Sequence, residues 1–209
     1  MSRGARWAAV VLVLAVAGVV ALWPRTPDPE PSGSGPPPGR PAQDLGPLRE
    51  RAALRPCPAG PAGQAGASGA TGQGGPAVLR GVTARCLGDG SEVDAATALS
   101  GPAVVNFWAT WCLPCQGELR VLDAYAREPG AVPVVTVLVE SKEGDGLELL
   151  AKLGVRLPAV FSGEDAVREA VRPRPGMPVT FVVGADGALT EVTRYPVLTS
   201  VEQVREVVG

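Results

Sequence analysis

Apolar residues recur with the periods of strands and helices only in the later part of this chain, from residue 77 onward. Residues 132–139 form a β-branched run with few polar interruptions, which is typical of a strand covered on both faces of a sheet. Residues 103–107 predict another buried strand, and Leu119, Leu122 and Tyr125 then fall on one face of a helix. This region therefore predicts a buried β-α-β unit.

Shorter apolar segments flank that unit on both sides. They predict a strand at 78–87, a short strand or helix at 92–99, a helix from Asp145 to 153, a strand at 157–161, a helix that Ser162 and Asp165 open and that reaches about 171, strands at 179–183 and 189–195, and a final helix behind a capping box of Thr199 and Glu202. This order is typical of the α/β class, with a mixed central sheet and helices on both faces.

The composition divides the chain into three parts. Residues 1–23 contain an uncharged stretch at 7–23 behind two arginines, which predicts a transmembrane signal-anchor with its amino end in the cytoplasm; a cleaved signal peptide is the alternative. Residues 24–76 are rich in Pro, Gly, Ala and Ser, which predicts a disordered linker. Residues 77–209 suffice for one folded domain. We therefore expect an extracytoplasmic domain tethered to the cell membrane, or a secreted one if the leader is removed.

Charge and histidine content exclude several functions. The formal net charge of −2 and the pI near 5.3 show no basic face, so nucleic acid is not expected as a partner. The chain has no histidine, which excludes Ser-His and Cys-His catalysis, histidine metal sites and c-type haem attachment. What remains is cysteine redox chemistry assisted by carboxylates.

Two cysteines, Cys112 and Cys115, stand where the predicted strand at 103–107 passes into the next helix. The free N–H groups and the dipole of a helix N-terminus favour a thiolate, so Cys112 is predicted to attack and Cys115 to resolve a mixed disulfide. Half of a zinc site has the same spacing, but it needs a second Cys or His pair, and the other two cysteines are widely separated. We expect a redox-active pair, with no metal and no cofactor.

Several motifs occur in the order of a known family: the run VVNFWATWCLPC at 104–115, Glu118, and the run GMPVTF at 176–181. Together they resemble the membrane-anchored thioredoxin-like proteins of the TlpA/ResA group, over about residues 78–209. The resemblance implies a thioredoxin-like fold and a thiol-disulfide oxidoreductase on the outer side of a bacterial membrane. The Ala-, Gly-, Pro-, Val- and Arg-rich composition is typical of the high-GC actinobacterial branch.

The resemblance implies roles for residues around the cysteine pair. Pro178 matches the family's cis-proline, which would turn the main chain of Met177 toward a substrate peptide. Glu118 lies one helical turn beyond the resolving cysteine and is expected to accept its proton; the alternative is an acid that the helix dipole favours there. Trp111 is expected to pack against the cysteine loop and to shape the substrate groove.

The other two cysteines, Cys57 and Cys86, are expected to pair as a structural disulfide that fastens the end of the linker to the domain. A second redox relay is the alternative.

The direction of electron flow is inferred from the residues between the two active-site cysteines. Leu113-Pro114 offers no polar group to stabilise a free thiolate further, which favours a reductant of exported proteins, for example apocytochrome c, over a DsbA-like oxidant. The expected partners are cysteine-containing exported proteins and a membrane electron donor or acceptor. Two rival classes are a peroxide-reducing redoxin, which would have Thr where Ala109 stands, and a Cu(I)-binding module.

Overall fold

The computed structural model describes residues 44–58 and 75–209, and these form a seven-stranded sheet with helices packed against it. In chain order the elements are α1 (Gly46–Ala52), a 3-10 turn (Ala77–Leu79), β1 (Thr83–Cys86), β2 (Glu92–Asp94), α2 (Ala95–Ala98), β3 (Ala103–Trp108), α3 (Leu113–Tyr125), β4 (Val134–Leu138), α4 (Glu143–Leu153), β5 (Ala159–Phe161), a second 3-10 turn (Gly163–Asp165), α5 (Ala166–Val171), β6 (Val179–Val183), β7 (Leu189–Glu191) and α6 (Val201–Val208).

The sheet is mixed, and its strand order is β2-β1-β5-β4-β3-β6-β7. The central strands β3, β4 and β5 are parallel, and the pairs outside them are antiparallel. Asn106 lies at the centre, paired with Thr136 of β4 and Thr180 of β6. Every residue of β3 and β4 is buried, which explains why these two strands are apolar in the sequence except at Asn106 and Thr136.

The core consists of two apolar clusters, one on each face of the sheet. Successive residues of β3 alternate between them: Val104 and Trp108 belong to one cluster, Val105 and Phe107 to the other. Helices α1, α3, α4 and α6 complete the first cluster, and α2, α5 and the first 3-10 turn complete the second. The predicted mixed sheet with helices on both faces is confirmed.

Two predicted element boundaries differ from the structure at the end of the chain. Strand β7 ends at Glu191 instead of continuing to 195, and the carbonyl oxygen of the next residue, Val192, accepts a hydrogen bond from the Arg174 guanidinium at 3.2 Å. The cap of α6 is Ser200, whose hydroxyl accepts from the Gln203 N–H, and not the predicted Thr199.

A helix boundary also differs in the middle of the chain. Asp145 was expected to cap α4, but the N-cap is Lys142, and Asp145 lies inside the first turn. A carboxylate is favourable at either place, since both lie near the positive end of the helix dipole.

The predicted disordered linker at 24–76 differs from the structure at residues 44–58. Helix α1 forms there with Pro47 in its first turn, and the Leu45, Leu48 and Leu54 side chains pack against the first apolar cluster. The excess of Pro and Gly in the wider segment hid this short run of leucines, which buries enough apolar surface to order it. Residues 44–58 therefore belong to the folded unit.

The predicted membrane segment at 7–23 lies outside the described residues. Within 44–58 and 75–209, no helix is both long enough and apolar enough to cross a membrane.

Candidate active site

The cysteine pair lies where β3 passes into α3, as expected for a strand that delivers a side chain to a helix N-terminus. Cys112 is the N-cap of α3, Cys115 lies in its first turn, and the two are joined by a disulfide with a Cα–Cα distance of 5.3 Å. The Cys115 N–H donates to the Cys112 sulfur at 3.2 Å. A sulfur in this position meets an unpaired N–H group and the positive end of the helix, so negative charge on it is stabilised.

The two sulfurs differ in access. Cys115 is fully buried, whereas Cys112 keeps a few per cent of its surface exposed. The residues beside them are open: Trp111 is 60% exposed and Leu113 is 76% exposed. We call Trp111 and Leu113 the apolar rim. Of the two cysteines, only Cys112 thus reaches the surface, between the two residues of the apolar rim.

Hydrogen bonds to the next loop hold the rim residue Trp111 in place. Its indole Nε1–H donates to the carbonyl oxygen of Glu140 at 3.3 Å, and the preceding Thr110 N–H donates to the Ser141 hydroxyl at 3.0 Å. The exposed ring is thus fixed by its edge and offers its face to solvent. Trp108 is instead fully buried in the first apolar cluster.

The Met177-Pro178 peptide bond is cis and lies at the same end of the sheet as the cysteine pair. The register shows this, because Val179 pairs with Phe107 near the end of β3. Met177 packs against both apolar clusters, including the one that contains the cysteine pair. The sequence-predicted residues Met177 and Pro178 are therefore neighbours of the strand that leads to Cys112.

Glu118 is buried on α3, one helical turn beyond Cys115, and both of its carboxylate oxygens accept hydrogen bonds. The Asn106 side-chain amide donates to one oxygen at 2.8 Å, and the Leu198 N–H donates to the other at 2.8 Å. Asn106 also donates to the Thr180 hydroxyl at 3.0 Å. Glu118 is thus held between the centre of the sheet and the segment before α6.

Burial raises the pKa of Glu118 from 4.5 to about 7, because desolvation penalises the charged form. Hydrogen bonds from Leu198, Asn106 and Thr180, and the more distant charge of Arg174, lower the pKa but do not cancel the effect of burial. A carboxyl group with this pKa exchanges protons near neutral pH, as a general acid or base does. Glu118 therefore has the burial and the titration range that suit proton exchange with a buried thiol.

Sequence reasoning missed the groups that hold Glu118. Asn106 is not among the site residues that the sequence predicts, and the Leu198 N–H gives no sequence signal because it lies 80 residues from Glu118 in the chain. Asn106 could have been found from its position, because it is a polar residue in the middle of an otherwise apolar strand. Such a buried amide requires a polar partner.

The Glu118→Gln variant should have a different dependence of stability on pH. The folded chain holds the Glu118 proton up to a pKa of about 7 and the unfolded chain only to 4.5. Relative to the variant, the wild-type unfolding free energy should therefore fall as the pH rises from 4.5 through 7, by up to about 3 kcal/mol in total, and level off about one pH unit above the folded pKa. Chemical denaturation from pH 4 to 8 measures this, with the exposed Glu92→Gln as the matched control. Parallel wild-type and Glu118→Gln curves would contradict the prediction.

The second cysteine pair lies apart from the first. Cys57 and Cys86 are joined by a disulfide with a Cα–Cα distance of 5.9 Å. The Cys57 sulfur lies 3.3 Å from the carbonyl oxygen of Ala159, inside the second apolar cluster. The two disulfides thus lie in clusters on opposite faces of the sheet, and the structure does not bring them together. In the described ranges, no group of three or more Cys, Asp or Glu side chains could hold a metal ion.

Comparisons with known families and proteins agree with this geometry. The family model Redoxin matches residues 70–208. The thiol:disulfide interchange protein CycY of Rhizobium leguminosarum bv. viciae is 33% identical over 89 residues, which cover 41% of this chain and 46% of that protein. The thiol-disulfide oxidoreductase ResA of Oceanobacillus iheyensis is 31% identical over 111 residues, 49% of this chain and 57% of that protein. The chain thus spans about half the length of the curated relatives it matches.

Two solved structures are similar in fold. The secreted Mycobacterium tuberculosis disulfide oxidoreductase homologous to E. coli DsbE superposes with a TM-score of 0.52 at 25% identity, over 60% of this chain and 92% of that one. MTB dsbF, solved in mixed oxidized and reduced forms, superposes with a TM-score of 0.55 at 26% identity, over 64% of this chain and 96% of that one. The predicted thioredoxin-like α/β fold is confirmed.

Proposed function

The chain belongs to the Redoxin family, and from this membership and the geometry of its cysteine pair we propose that it is a thiol-disulfide oxidoreductase that acts on cysteines of exported proteins. The predicted TlpA/ResA resemblance is confirmed at the level of homology, since relatives of the ResA, CycY and DsbE types match the chain. The observation that carries the proposal is the Cys112 sulfur at the N-cap of α3, with Cys115 in disulfide reach.

The exchange proceeds in two displacement steps. In the reducing direction the Cys112 thiolate attacks one sulfur of a substrate disulfide, which forms a mixed disulfide and releases the other substrate sulfur as a thiolate. The Cys115 thiol then loses its proton and displaces the bound substrate sulfur. The Cys112–Cys115 disulfide forms, and the substrate leaves with two thiols and two more electrons.

Glu118 takes the proton in the second step. Cys115 is fully buried and cannot pass its proton directly to bulk water, whereas the Glu118 carboxyl lies one helical turn away with a pKa of about 7. Asn106 and the Leu198 N–H stabilise the carboxylate that must be present before the transfer. The acid was expected on this helix turn, and its burial supports the role in proton transfer over the alternative of a dipole-favoured surface acid.

A substrate peptide binds beside Cys112 along the Met177 main chain and the apolar rim. The cis Met177-Pro178 bond precedes β6, so the main chain of Met177 stands outside the ladder that begins at Val179. A peptide in extended form can pair with it as an added strand. The face of Trp111 and the Leu113 side chain supply apolar contact to residues on either side of the substrate cysteine.

Removal of the Trp111 ring should weaken the reaction with protein substrates only. The Trp111→Ala variant is expected to raise KM for a reduced or oxidised protein substrate about fivefold to tenfold, since a half-exposed aromatic contact contributes about 1 kcal/mol. The rate with oxidised glutathione should stay unchanged, because so small a disulfide does not cover the ring. Val78→Ala removes a similarly exposed apolar side chain elsewhere and is the control. Equal losses with both substrates would contradict a role in peptide binding.

The proposed arrangement in the cell follows the three-part division of the chain. Residues 1–23 act as the signal-anchor and residues 24–43 as the linker, and the folded unit stands on the extracytoplasmic side, where disulfides form and persist. A membrane protein supplies the electrons that regenerate the dithiol. A relative described as a secreted disulfide oxidoreductase supports a location outside the cytoplasm.

The direction of electron flow is tested by the reduction potential. Leu113 and Pro114 place no additional charge-stabilising group between the cysteines, so we propose a reductant, with cytochrome c maturation as the setting. Equilibration of the full chain with glutathione buffers should give a potential below about −200 mV, in the range of thioredoxin and glutaredoxins. A potential near −120 mV would assign the oxidant role instead, while failure to cycle at all would overturn the proposed activity.

A further inference from the structure

A cavity of about 420 Å³ lies at the carboxyl-terminal ends of α3 and α4, and arginines line most of it. Its wall consists of Arg55, Asp123, Arg127, Gly154 and Arg156. Helix α3 has 13 residues, begins at the cysteine pair and ends beside this cavity, which places the two about 20 Å apart along the helix axis. The cavity is therefore no part of the proposed active site.

The single acid in the wall, Asp123, is already engaged. One of its oxygens accepts from the Arg127 guanidinium, and the other accepts from the Arg156 N–H at 3.1 Å. Asp123 is buried, so its charge is directed at these two partners instead of at the space of the cavity. The carboxylate balances one arginine and leaves two positive charges on the wall.

Those two charges belong to Arg55 and Arg156, neither of which forms an ion pair within residues 44–58 and 75–209. The Arg55 guanidinium donates to the carbonyl oxygens of Arg156 at 3.3 Å and Ala126 at 3.4 Å, which fixes its direction. The Arg156 guanidinium forms no hydrogen bond with any described residue. The carboxyl-terminal ends of α3 and α4 are the negative ends of the helix dipoles, so they attract cations. Among the wall arginines, however, only Arg55 donates to a carbonyl oxygen at such an end, that of Ala126.

We propose that this arginine-lined cavity binds a phosphate group, either as free phosphate or as the phosphodiester of an anionic lipid headgroup. Arg55 and Arg156 place two exposed guanidinium charges in one wall that no acid of the described residues pairs, and an anion between them would reduce their repulsion. Planar guanidinium forks also match the paired oxygens of phosphate. The cavity has the size of a small-molecule site. The backbone N–H of Arg55 donates to the Arg156 carbonyl oxygen at 2.9 Å, so the backbones that carry the two unpaired arginines lie side by side.

The place of Arg55 in the chain connects this site to the tether. Arg55 precedes Cys57 by two residues, and the Cys57–Cys86 disulfide holds this segment on the domain. A lipid headgroup in the cavity would hold the far end of α3 at the membrane surface and leave the cysteine pair about 20 Å away from it, open to exported proteins. Free phosphate would instead occupy the cavity without any effect on how the domain is oriented at the membrane.

The test uses the full chain in a non-ionic detergent, with the Nε–H signals of its arginines followed by NMR. Inorganic phosphate, dihexanoyl phosphatidylglycerol and dihexanoyl phosphatidylcholine are titrated separately. We expect saturable shifts for phosphate or for phosphatidylglycerol, and a loss of affinity of about tenfold or more in Arg55→Gln and Arg156→Gln, because each removes charge-assisted hydrogen bonds. Arg120→Gln, which removes an exposed charge from α3 outside the cavity, should bind as the wild type does.

Each outcome either identifies the molecule that supplies the phosphate group or shows that the cavity binds none. Tighter binding of phosphatidylglycerol than of phosphate identifies a lipid headgroup, and the reverse order identifies free phosphate. Equal loss in Arg120→Gln and Arg156→Gln, or no saturable shift with either anion, would show that no site exists. Turnover of a disulfide substrate should be the same in Arg156→Gln and the wild type, so failure here is distinguishable from failure of the proposed redox activity.

Discussion

Replacement of Cys112 by Ser should abolish disulfide exchange, with a fall in turnover of about a thousandfold or more, whereas replacement of Cys115 by Ser should stop the reaction at the mixed disulfide. The structure predicts this asymmetry because Cys112 is the N-cap of α3, stands between the two exposed residues of the apolar rim and keeps a few per cent of its surface exposed, while Cys115 is fully buried. Without the sulfur at 112 no attack occurs, and without that at 115 no displacement follows.

The measurement is turnover of insulin or another disulfide-bonded protein, followed by non-reducing electrophoresis and mass spectrometry of the trapped species. Cys115→Ser should accumulate a covalent adduct through Cys112, and Cys112→Ser should accumulate none. The Cys112→Ser/Cys115→Ser variant controls for exchange through the other pair, Cys57 and Cys86, and should be inert. Adducts formed through Cys115 in the Cys112→Ser variant at comparable rates would reverse the assigned roles.

The sequence was sufficient to predict those parts of the fold in which neighbouring residues determine the structure. The continuous apolar runs of β3 and β4 arise from burial on both faces, and they predicted both strands to within a residue or two. The α3 start was predictable because a cysteine pair after a strand, with Pro114 in the first turn, is typical of a helix N-terminus. The cis state of the Met177-Pro178 bond needed the family resemblance, since proline alone does not specify it.

Features that depend on distant residues could not be predicted in this way. The depth at which Glu118 is buried follows from the Leu198 N–H and from Asn106, which come from a late loop and from a central strand. Helix α1 was missed because a few leucines within a Pro- and Gly-rich segment become significant only when a surface for them exists on the domain. The arginine-lined cavity likewise joins Arg55, Arg127 and Arg156 from three separate segments.

The segment that contains α1 is held on the domain by side-chain contacts as well as by the second disulfide. The Arg49 guanidinium donates to the Leu87 carbonyl oxygen at 3.2 Å and to the Glu143 carboxylate at 2.7 Å, and Arg85 donates to the other oxygen of Glu143 at 3.0 Å. Glu143 is buried in the first turn of α4, where the helix dipole stabilises its charge. These contacts and the Cys57–Cys86 bond therefore act on the same piece of chain.

Loss of the Cys57–Cys86 bond should strongly lower the free energy of unfolding. The cysteines are 29 positions apart, and closing a loop of this size in the unfolded chain corresponds to about 3–4 kcal/mol. The Cys57→Ser/Cys86→Ser variant should therefore unfold about 10 °C below the wild type. Both proteins are compared in a Cys112→Ser/Cys115→Ser background, so that the active-site disulfide cannot form or exchange.

Hydrogen exchange distinguishes a structural disulfide from a dispensable one in the same pair of proteins. With the bond lost, the amides of α1 and the Arg55 N–H should exchange much faster than those of β3 and β4, because the segment 44–58 keeps only its side-chain contacts. Arg49→Ala is the matched variant: it removes the contacts to Leu87 and Glu143 but keeps the disulfide, so its α1 amides should stay protected. A structural disulfide restricts the unfolded chain and holds α1 on the domain, so its loss must lower both the melting temperature and the protection of the α1 amides. If neither quantity changed when the disulfide was removed, its structural role would be contradicted.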